Sequence, residues 1–445
     1  MADATLYAII IPLLSLIYSP LLPKKKTQEP PARPSFSPDH RTLYNLSNKH
    51  GPIMFLWFGV CRVVVVSSLP LAEECFTKND IMLTNCPQLS FGKHIAYDHT
   101  TLNALPYGAE WRNLRKIATT EVLSAHSLNI LSCIRRDEVD WLMLRLVRNG
   151  FGDFHRVELK TLFMEIMFNV IMRMISGKWY YGEGVSVGRG QGKGVPGDNQ
   201  QIAANGGTSY EGFKKMIARL GKRADAFIQN LVGEHRRRKG DPEFTDSMIS
   251  HLLRLQGAQP ENYSDLMIKA LVLVILVGGI DPSSLTLEWA MTNLLNSPDK
   301  FKKAPDEIDS IIGHDRLMDT TVPLLLPHES SADCTTGEYM VPCGTIALVN
   351  AWAIHRDPEL WEDPKAFKPE PFEGGNGEKH QKLVLPFGLE RRACPGAPLA
   401  QRVMGLTLGL LLQCFDWKRV SKEEIDMTKG KGVTMPKVVP FGINV

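Results

Sequence analysis

Residues 385–400 read LPFGLERRACPGAPLA, and Cys394 is the residue among them with the most chemistry open to it. A cysteine followed by Pro395 and Gly396, with Gly388 upstream and a helical run after Ala400, predicts a tight loop entering a helix N-terminus. Backbone N–H groups at such a terminus point at the sulfur, and Arg391 and Arg392 add positive charge, so thiolate is favoured over thiol. A thiolate fixed in a rigid loop is a good ligand for a soft metal centre. On this residue alone, an inert cysteine buried in a turn is the simpler reading. A second group, Gly278-Gly279-Ile280-Asp281-Pro282-Ser283, follows the apolar stretch from Leu271 to Val277. Proline removes a backbone hydrogen bond and glycine weakens a helix, so this turn is expected to bulge or kink beside its acid.

The elements that must position these residues are legible in outline. A long helical pattern starts at the capping pair Ser264-Asp265 and runs to Asn296-Ser297-Pro298. Its centre is apolar all round, which marks a buried helix, and its seven-residue apolar centre is too short to span a bilayer. Residues 54–66 (MFLWFGVCRVVVV) predict a hairpin, while helical patterns dominate 107–180 and 210–254. Between the two helical stretches lies the glycine-dense segment 182–207. Its Lys193 is not followed by Ser or Thr and no apolar strand leads into it, so it reads as a mobile loop and not a phosphate cradle. There is no internal repeat.

The composition sets outer bounds. The chain has 445 residues, with 51 Lys and Arg against 48 Asp and Glu, 44% hydrophobic and 22% charged. That is a globular mixture, which excludes a mostly disordered chain and a nucleic-acid binder working by bulk charge. The eight cysteines form no Cys-x-x-Cys pair, and most are expected to be small buried hydrophobes in a reducing compartment. From Leu6 to Leu22 the chain is uncharged and mainly apolar, with Lys24, Lys25 and Lys26 directly after it. Lysines after the run predict a retained anchor whose C-terminal side is cytosolic. Shallow insertion and a buried core helix are the alternatives, because about 20 residues make a comfortable span. Pro30, Pro31, Pro34 and Pro38 then form a stiff stalk. The expected organisation is an anchor over 1–23, a stalk over 24–39 and a catalytic body over 40–445.

The pattern Phe387-x-x-x-x-Arg392-x-Cys394-x-Gly396 resembles the haem-binding loop of the cytochrome P-450 family. The likeness covers most of the chain. HRTLYNLSNKHGPI (40–53), AEECFTKND (72–80), SSLTLEWAMTNLLNSP (283–298) and NAWAIHRDPELWEDP (350–364) resemble plant microsomal members, nearest the isoflavone 2'-hydroxylase-like group. The resemblance implies a mainly α fold with small β-sheets (α+β), with haem between a long central helix and the Cys-bearing loop. Cys394 is then the axial thiolate of haem b, iron protoporphyrin IX, pushing electron density toward O–O cleavage. Phe387 packs on the sulfur side, and Gly396 lets the helix approach. Trp111 and Arg115, as Trp-x-x-x-Arg, hold one propionate, with His328 and Arg392 as further propionate partners. Asp281 is the acid of the oxygen-activation turn. Pro282 replaces the usual threonine, so Ser283, about 100° further round the helix, or water supplies the hydroxyl.

The implied activity is haem-thiolate monooxygenation: hydroxylation of a small lipophilic aromatic, such as a flavonoid or other phenolic, with O2. Electrons come from NADPH through a membrane-bound NADPH–cytochrome P-450 reductase, with Arg112, Lys116 and Arg391 as its docking face. The implied location is the endoplasmic reticulum membrane with the catalytic domain facing the cytosol, and no nucleic-acid partner. A zinc or thiol hydrolase lacks the histidine cluster it needs near Cys394. The sequence also departs from the family. A Glu-x-x-Arg helix is expected before the His328 strand, yet only residues 314–327 (HDRLMDTTVPLLLP) remain, and an average helix alone takes about 11 to 12 residues. The match Glu234-x-x-Arg237 lies too far upstream to serve. Pro369-Glu370-Pro371-Phe372 stands where the family has Pro-Glu-Arg-Phe, and Glu390 stands where its loop carries glycine, a strain if φ is positive there. Local deletions are therefore expected near 39–40, 182–207 and 319–320. The alternative reading is a haem-binding or misfolded, catalytically impaired relative, from a truncated isoform or a pseudogene.

Overall fold

The computed structural model describes residues 39–149, 154–182, 210–240, 247–303, 322–364, 366–369, 385–430, 434–439 and 442–445. The expected anchor and nearly all of the stalk lie outside these residues. So do the glycine-dense segment beyond Gly182, the 319–320 junction and the 370–372 part of the Pro-Glu-Pro-Phe stretch. Helices dominate what is described. In chain order they are α1 (His40–His50), α2 (Leu69–Phe76), α3 (Ser90–Ile95), α4 (Ala109–Ile117), α5 (Ala125–Ile130), α6 (Ser132–Asn149) and α7 (Leu159–Ser176). Then come α8 (Tyr210–Arg237), α9 (Met248–Ala258), α10 (Asp265–Asn296), α11 (Pro298–Lys303), α12 (Ala351–Ile354) and α13 (Ala397–Cys414). The mainly α, small-sheet expectation holds.

The predicted hairpin forms as β1 (Ile53–Phe58) and β2 (Cys61–Val66), turning at Gly59, whose φ is +63°. The run Val63 to Val66 is buried without alternation because β2 is central in its sheet. It pairs antiparallel with β1 on one side and parallel with β7 (Ile346–Val349) on the other. The sheet order is β1-β2-β7-β4, with β4 (His328–Glu329) antiparallel to β7 in the register His328 opposite Ala347. A hairpin of β5 (Cys334–Thr336) and β6 (Tyr339–Val341) stands apart. A third sheet joins β3 (Arg156–Glu158), β9 (Gly442–Asn444) and β8 (Lys418–Arg419) in that order.

The axis of the fold is α10. Ser264 caps it as expected, its Oγ accepting from the N–H of Met267 at 3.2 Å. It packs against α7, α8 and α13, and those faces form one large core. α10 is long and apolar enough to cross a bilayer, but this packing identifies it as the core helix of the body. The expected bulge at Gly278–Pro282 is absent, for the helix runs unbroken through Pro282. One missing N–H costs the carbonyl of Gly278 its partner, and burial of the helix on both sides of the proline outweighs that loss. Gly279 has a packing reason. A Cβ there would fall 2.7 Å from Cδ1 of Ile171, so the glycine lets α7 and α10 approach closely.

An element not foreseen follows α4. Residues Ala118–Val122 form a π-helical turn. The hydroxyls of Thr119 and Thr120 donate to the carbonyls of Arg115 and Lys116, each at 2.9 Å, which draws those carbonyls away from the regular ladder and favours a wider turn. The expectation that most cysteines are buried also fails. All eight are free thiols, and only Cys75, Cys86 and Cys334 are buried.

Candidate functional site

The loop before α13 is held by its own backbone. The N–H of Cys394 donates to the carbonyl of Phe387 at 2.7 Å, and the N–H of Ala393 donates to Glu390 at 3.1 Å. The path requires positive φ at Gly388 (+70°) and at Glu390 (+54°). Glycine adopts this freely, whereas Glu390 is strained by roughly 1 kcal/mol, as the sequence led one to expect. A short 3-10 turn, Glu390–Arg392, aims the chain into α13, where Gly396 is the N-cap and Pro398 lies in the first turn. A Cβ on Gly396 would sit 3.7 Å from the sulfur of Cys394, so glycine keeps that side of the thiol clear.

The donors expected around the thiol are present, with one exchange of partners, but the expected preference for thiolate over thiol does not follow from them, because burial outweighs them. The N–H groups of Gly396 and Ala397 are directed at the sulfur, and with Arg115 they pull its pKa down, while burial pushes it up and prevails. Cys394 is nonetheless solvent-accessible. The positive charge that reaches it belongs to Arg115, not to Arg391 or Arg392. Arg391 pairs with Asp80 and lies against Tyr107.

Arg392 makes a clamp. Its Nε donates to the carbonyl of Thr84 at 2.7 Å, Nη1 to Leu102 at 2.9 Å and Nη2 to Leu105 at 2.7 Å. Its guanidinium also stacks 4.6 Å from the Trp111 ring centroid, and the indole N–H of Trp111 donates to the same Leu102 carbonyl at 3.0 Å. Trp111 and Arg392 are thus brought together as expected, but their donors hold backbone and are spent. His328 is fixed by β4, and its Nδ1 lies 2.6 Å from the carbonyl of Leu83. Burial holds its pKa down at about 4, so it is neutral at physiological pH and contributes no charge to match a carboxylate. The three-cation match expected for two propionates reduces to Arg115 and the occupied Arg392.

Arg115, half-buried on the last turn of α4, has no acidic partner among the described residues. A half-buried guanidinium without a described acidic partner, near enough to act on the Cys394 thiol, fits a planar iron-bearing group with a carboxylate edge. Phe387 is half-buried and its role here is carried by its carbonyl. On α10, Asp281 is half-buried, and desolvation raises its carboxyl pKa against the lowering effects of Thr434 and Lys160. Thr434 Oγ1 donates to Asp281 Oδ2 at 2.5 Å. Ser283 is buried two residues further on, and its hydroxyl makes no hydrogen bond among the described residues. Nothing in the sequence pointed to Thr434. The other unforeseen acid is Glu288, fully buried on α10, with both carboxylate oxygens unpartnered.

Comparison with known proteins agrees with this geometry. The cytochrome P450 family matches over residues 36–183, 210–321 and 316–440. Cytochrome P450 81E8 of Medicago truncatula is 47% identical over 435 residues, covering 90% of this chain and 86% of that protein. An isoflavone 2'-hydroxylase of Glycyrrhiza echinata is 44% identical over 439 residues, covering 91% and 87%. In fold, a zebrafish cytochrome P450 solved with progesterone superimposes with a TM-score of 0.75 at 22% identity, over 91% of this chain and 98% of that one. With the thiol loop, the central helix and these matches in agreement, the chain belongs to the cytochrome P450 family.

Proposed function

We propose that this cytochrome P450 hydroxylates a small lipophilic phenolic of the flavonoid type at the endoplasmic reticulum membrane, its body facing the cytosol. Family membership supplies the general chemistry: the chain is an oxygen-incorporating oxidoreductase with haem, a thiolate ligand and reductase-supplied electrons. The observation that carries the reading is Cys394, solvent-accessible and flanked by two aimed N–H groups and Arg115. The relative named as an isoflavone 2'-hydroxylase supports the phenolic substrate. The uncharged run from Leu6 to Leu22 with its trailing lysines supports the membrane and its sidedness.

Haem held by Cys394 supplies oxygen activation. The protein's own groups have separate tasks. Cys394 is the iron ligand, and Gly396 and Ala397 stabilise negative charge on its sulfur. Arg115 holds an anionic edge of the group, while Arg392 and Trp111 keep the 84–105 segment fixed beside it. Asp281 would hold or pass a proton at its carboxyl. For the reductase, Arg112 and Lys116 are exposed on α4 and unpaired by any described acid, whereas Arg391 is paired with Asp80 and adds little. The boundaries 1–23, 24–39 and 40–445 are part of this reading, as are local deletions. The family match is interrupted between 183 and 210 and overlaps itself at 316–321, which supports lost segments at both places. Asp281 sits in an unbroken helix with a hydroxyl partner, which favours a working site over an impaired one.

The test is a reduced, carbon-monoxide difference spectrum on membranes that express the full chain beside a Cys394→Ala control. A strongly red-shifted haem band lost in the control is the expected result. A band of non-thiolate haem, or no haem at all, would remove the reading. Product formation from isoflavones with an added reductase then tests the substrate.

A further inference from the structure

The central helix of this chain carries an acid but no hydroxyl beside it, because Pro282 follows Asp281. The neighbouring hydroxyls turn back on the helix. Ser284 Oγ donates to the backbone carbonyl of Asp281 at 3.0 Å and Thr286 Oγ1 to that of Pro282 at 2.7 Å. Ser283 does not reach the carboxylate. A hydroxyl nevertheless meets Asp281, and it comes from the C-terminal segment, where Thr434 Oγ1 donates to Oδ2 at 2.5 Å.

That segment is pinned to α10 independently. The indole N–H of Trp289, about two helical turns beyond Asp281, donates to the carbonyl of Met435 at 3.0 Å. The Nζ of Lys437 lies 4.8 Å from the same ring centroid. The carbonyl of Pro436 accepts from the N–H of Gly430 at 2.6 Å. Thr434 is itself buried. Its hydroxyl is thus delivered by a fixed backbone and not by a free tail. We infer that Thr434 is the positioning residue for the Asp281 carboxyl, supplying from the far end of the chain the hydroxyl that Pro282 displaced.

This rests on the reading of Asp281 as the proton-handling acid. The hydroxyl fixes which carboxyl oxygen is engaged, and it leaves its own lone pairs to accept from a further donor. It also tunes the acid. Burial raises the carboxyl pKa, and the Thr434 bond opposes that rise ahead of Lys160 of α7. The remaining ionisable groups along this side are Glu288 on α10 and Lys437 on the C-terminal segment, which Lys160 and Glu158 face from the α7 side.

The test uses the full chain in membranes with Thr434→Val, Thr434→Ala and Thr434→Ser, and Asp281→Asn as the spectral reference. The carboxyl stretch that disappears in Asp281→Asn is titrated by infrared difference spectroscopy. Val and Ala should each move its midpoint upward by about one pH unit, and Ser should restore it. In the haem-loaded protein, Val should divert electrons several-fold from product to peroxide with KM unchanged, again restored by Ser. An unmoved midpoint in Val and Ala, or equal displacement by Ser, overturns the assignment. If the thiolate spectrum fails while the midpoint still moves, the proposed function falls and the Thr434 assignment stands.

Discussion

The loop around Cys394 and the turn around Asp281 fix their reactive groups by opposite means. At Cys394 the geometry is written in backbone. Phe387, Gly388, Glu390 and Gly396 lie within eight residues of the thiol, and hydrogen bonds and φ values among them set its direction. At Asp281 the backbone is an unbroken helix that would accept many side chains. What distinguishes the site comes from far away: Thr434 from the C-terminal segment, Lys160 from α7, and the close approach of Ile171 to Gly279. A site built from backbone tolerates change around it and little within it. A site built from distant side chains depends on packing that no local segment encodes.

The largest effect should come from the residue that breaks this division, since Arg392 belongs to the loop yet bonds three carbonyls of the 84–105 segment. Replacing it by Met keeps the stem and removes the Arg392 donor from all three carbonyls, of which Leu102 keeps the indole N–H of Trp111. Each hydrogen bond from a charged donor is worth about 1.5–3 kcal/mol, reduced here because the side chain is only partly buried, so a loss of roughly 4 kcal/mol is expected. Urea unfolding of the expressed body measures it. A loss under about 1 kcal/mol would mean that the loop stands without its tie to the remote segment.

Next is Glu288, which sharpens the contrast on the α10 side. Its carboxylate is buried without partners, and burial pushes its pKa up from 4.5 to about 7. Folding therefore holds a proton that the unfolded chain releases. The penalty is absent below pH 4.5, grows as pH rises toward 7, and is complete above it. At roughly 1.4 kcal/mol per unit it reaches about 3 kcal/mol. Glu288→Gln should flatten the decline and be the more stable protein at pH 8, as read from unfolding midpoints across that range. Parallel curves for the two proteins would show that the carboxylate finds a partner in solution.

These cases explain what could be read in the sequence. The hairpin at 54–66, the Ser264 cap and the Cys394 turn were legible, because each depends on residues a few positions apart, and the strain at Glu390 was legible through the resemblance, which places a glycine there. Arg115 and Trp111 were legible as a pair through the resemblance of Trp-x-x-x-Arg to the family's pattern, although the indole N–H turned out to hold Leu102. The neutrality of His328 was not legible, because burial in β4 beside Leu83 decides it. Nor was the π-turn after α4, or the hydroxyl of Thr434. Gly278-Gly279 was read as a weakness in the helix, when Gly279 marks a contact with a helix whose position the local sequence does not reveal.

That contact gives a smaller effect. Gly279→Ala puts a Cβ 2.7 Å from Cδ1 of Ile171. Overpacking of this kind costs about 1–3 kcal/mol, and the better helix propensity of alanine returns about 1. A net loss of about 1 kcal/mol is expected, and Ile171→Val, which removes the offending methyl, should recover most of it in the double variant. If the two substitutions are additive, the glycine is not there for the approach of α7.

The smallest expected effect tests the backbone-built site on its own terms. Glu390 is exposed and adopts φ of +54° in the loop that carries Cys394. Glu390→Gly removes a strain of about 1–2 kcal/mol. It also gives the unfolded chain more freedom, which offsets about 0.4–1 kcal/mol of that gain. The balance is a stabilisation of about 0.5 kcal/mol, measurable as a small rise in the urea midpoint. The thiolate band should be unchanged, because the hydrogen bond from Cys394 to Phe387 and the two N–H groups aimed at the sulfur do not involve the side chain of Glu390. A shifted band would show that the strain at Glu390 is used to set the sulfur, and the loop would then be less purely a matter of local backbone than its geometry indicates.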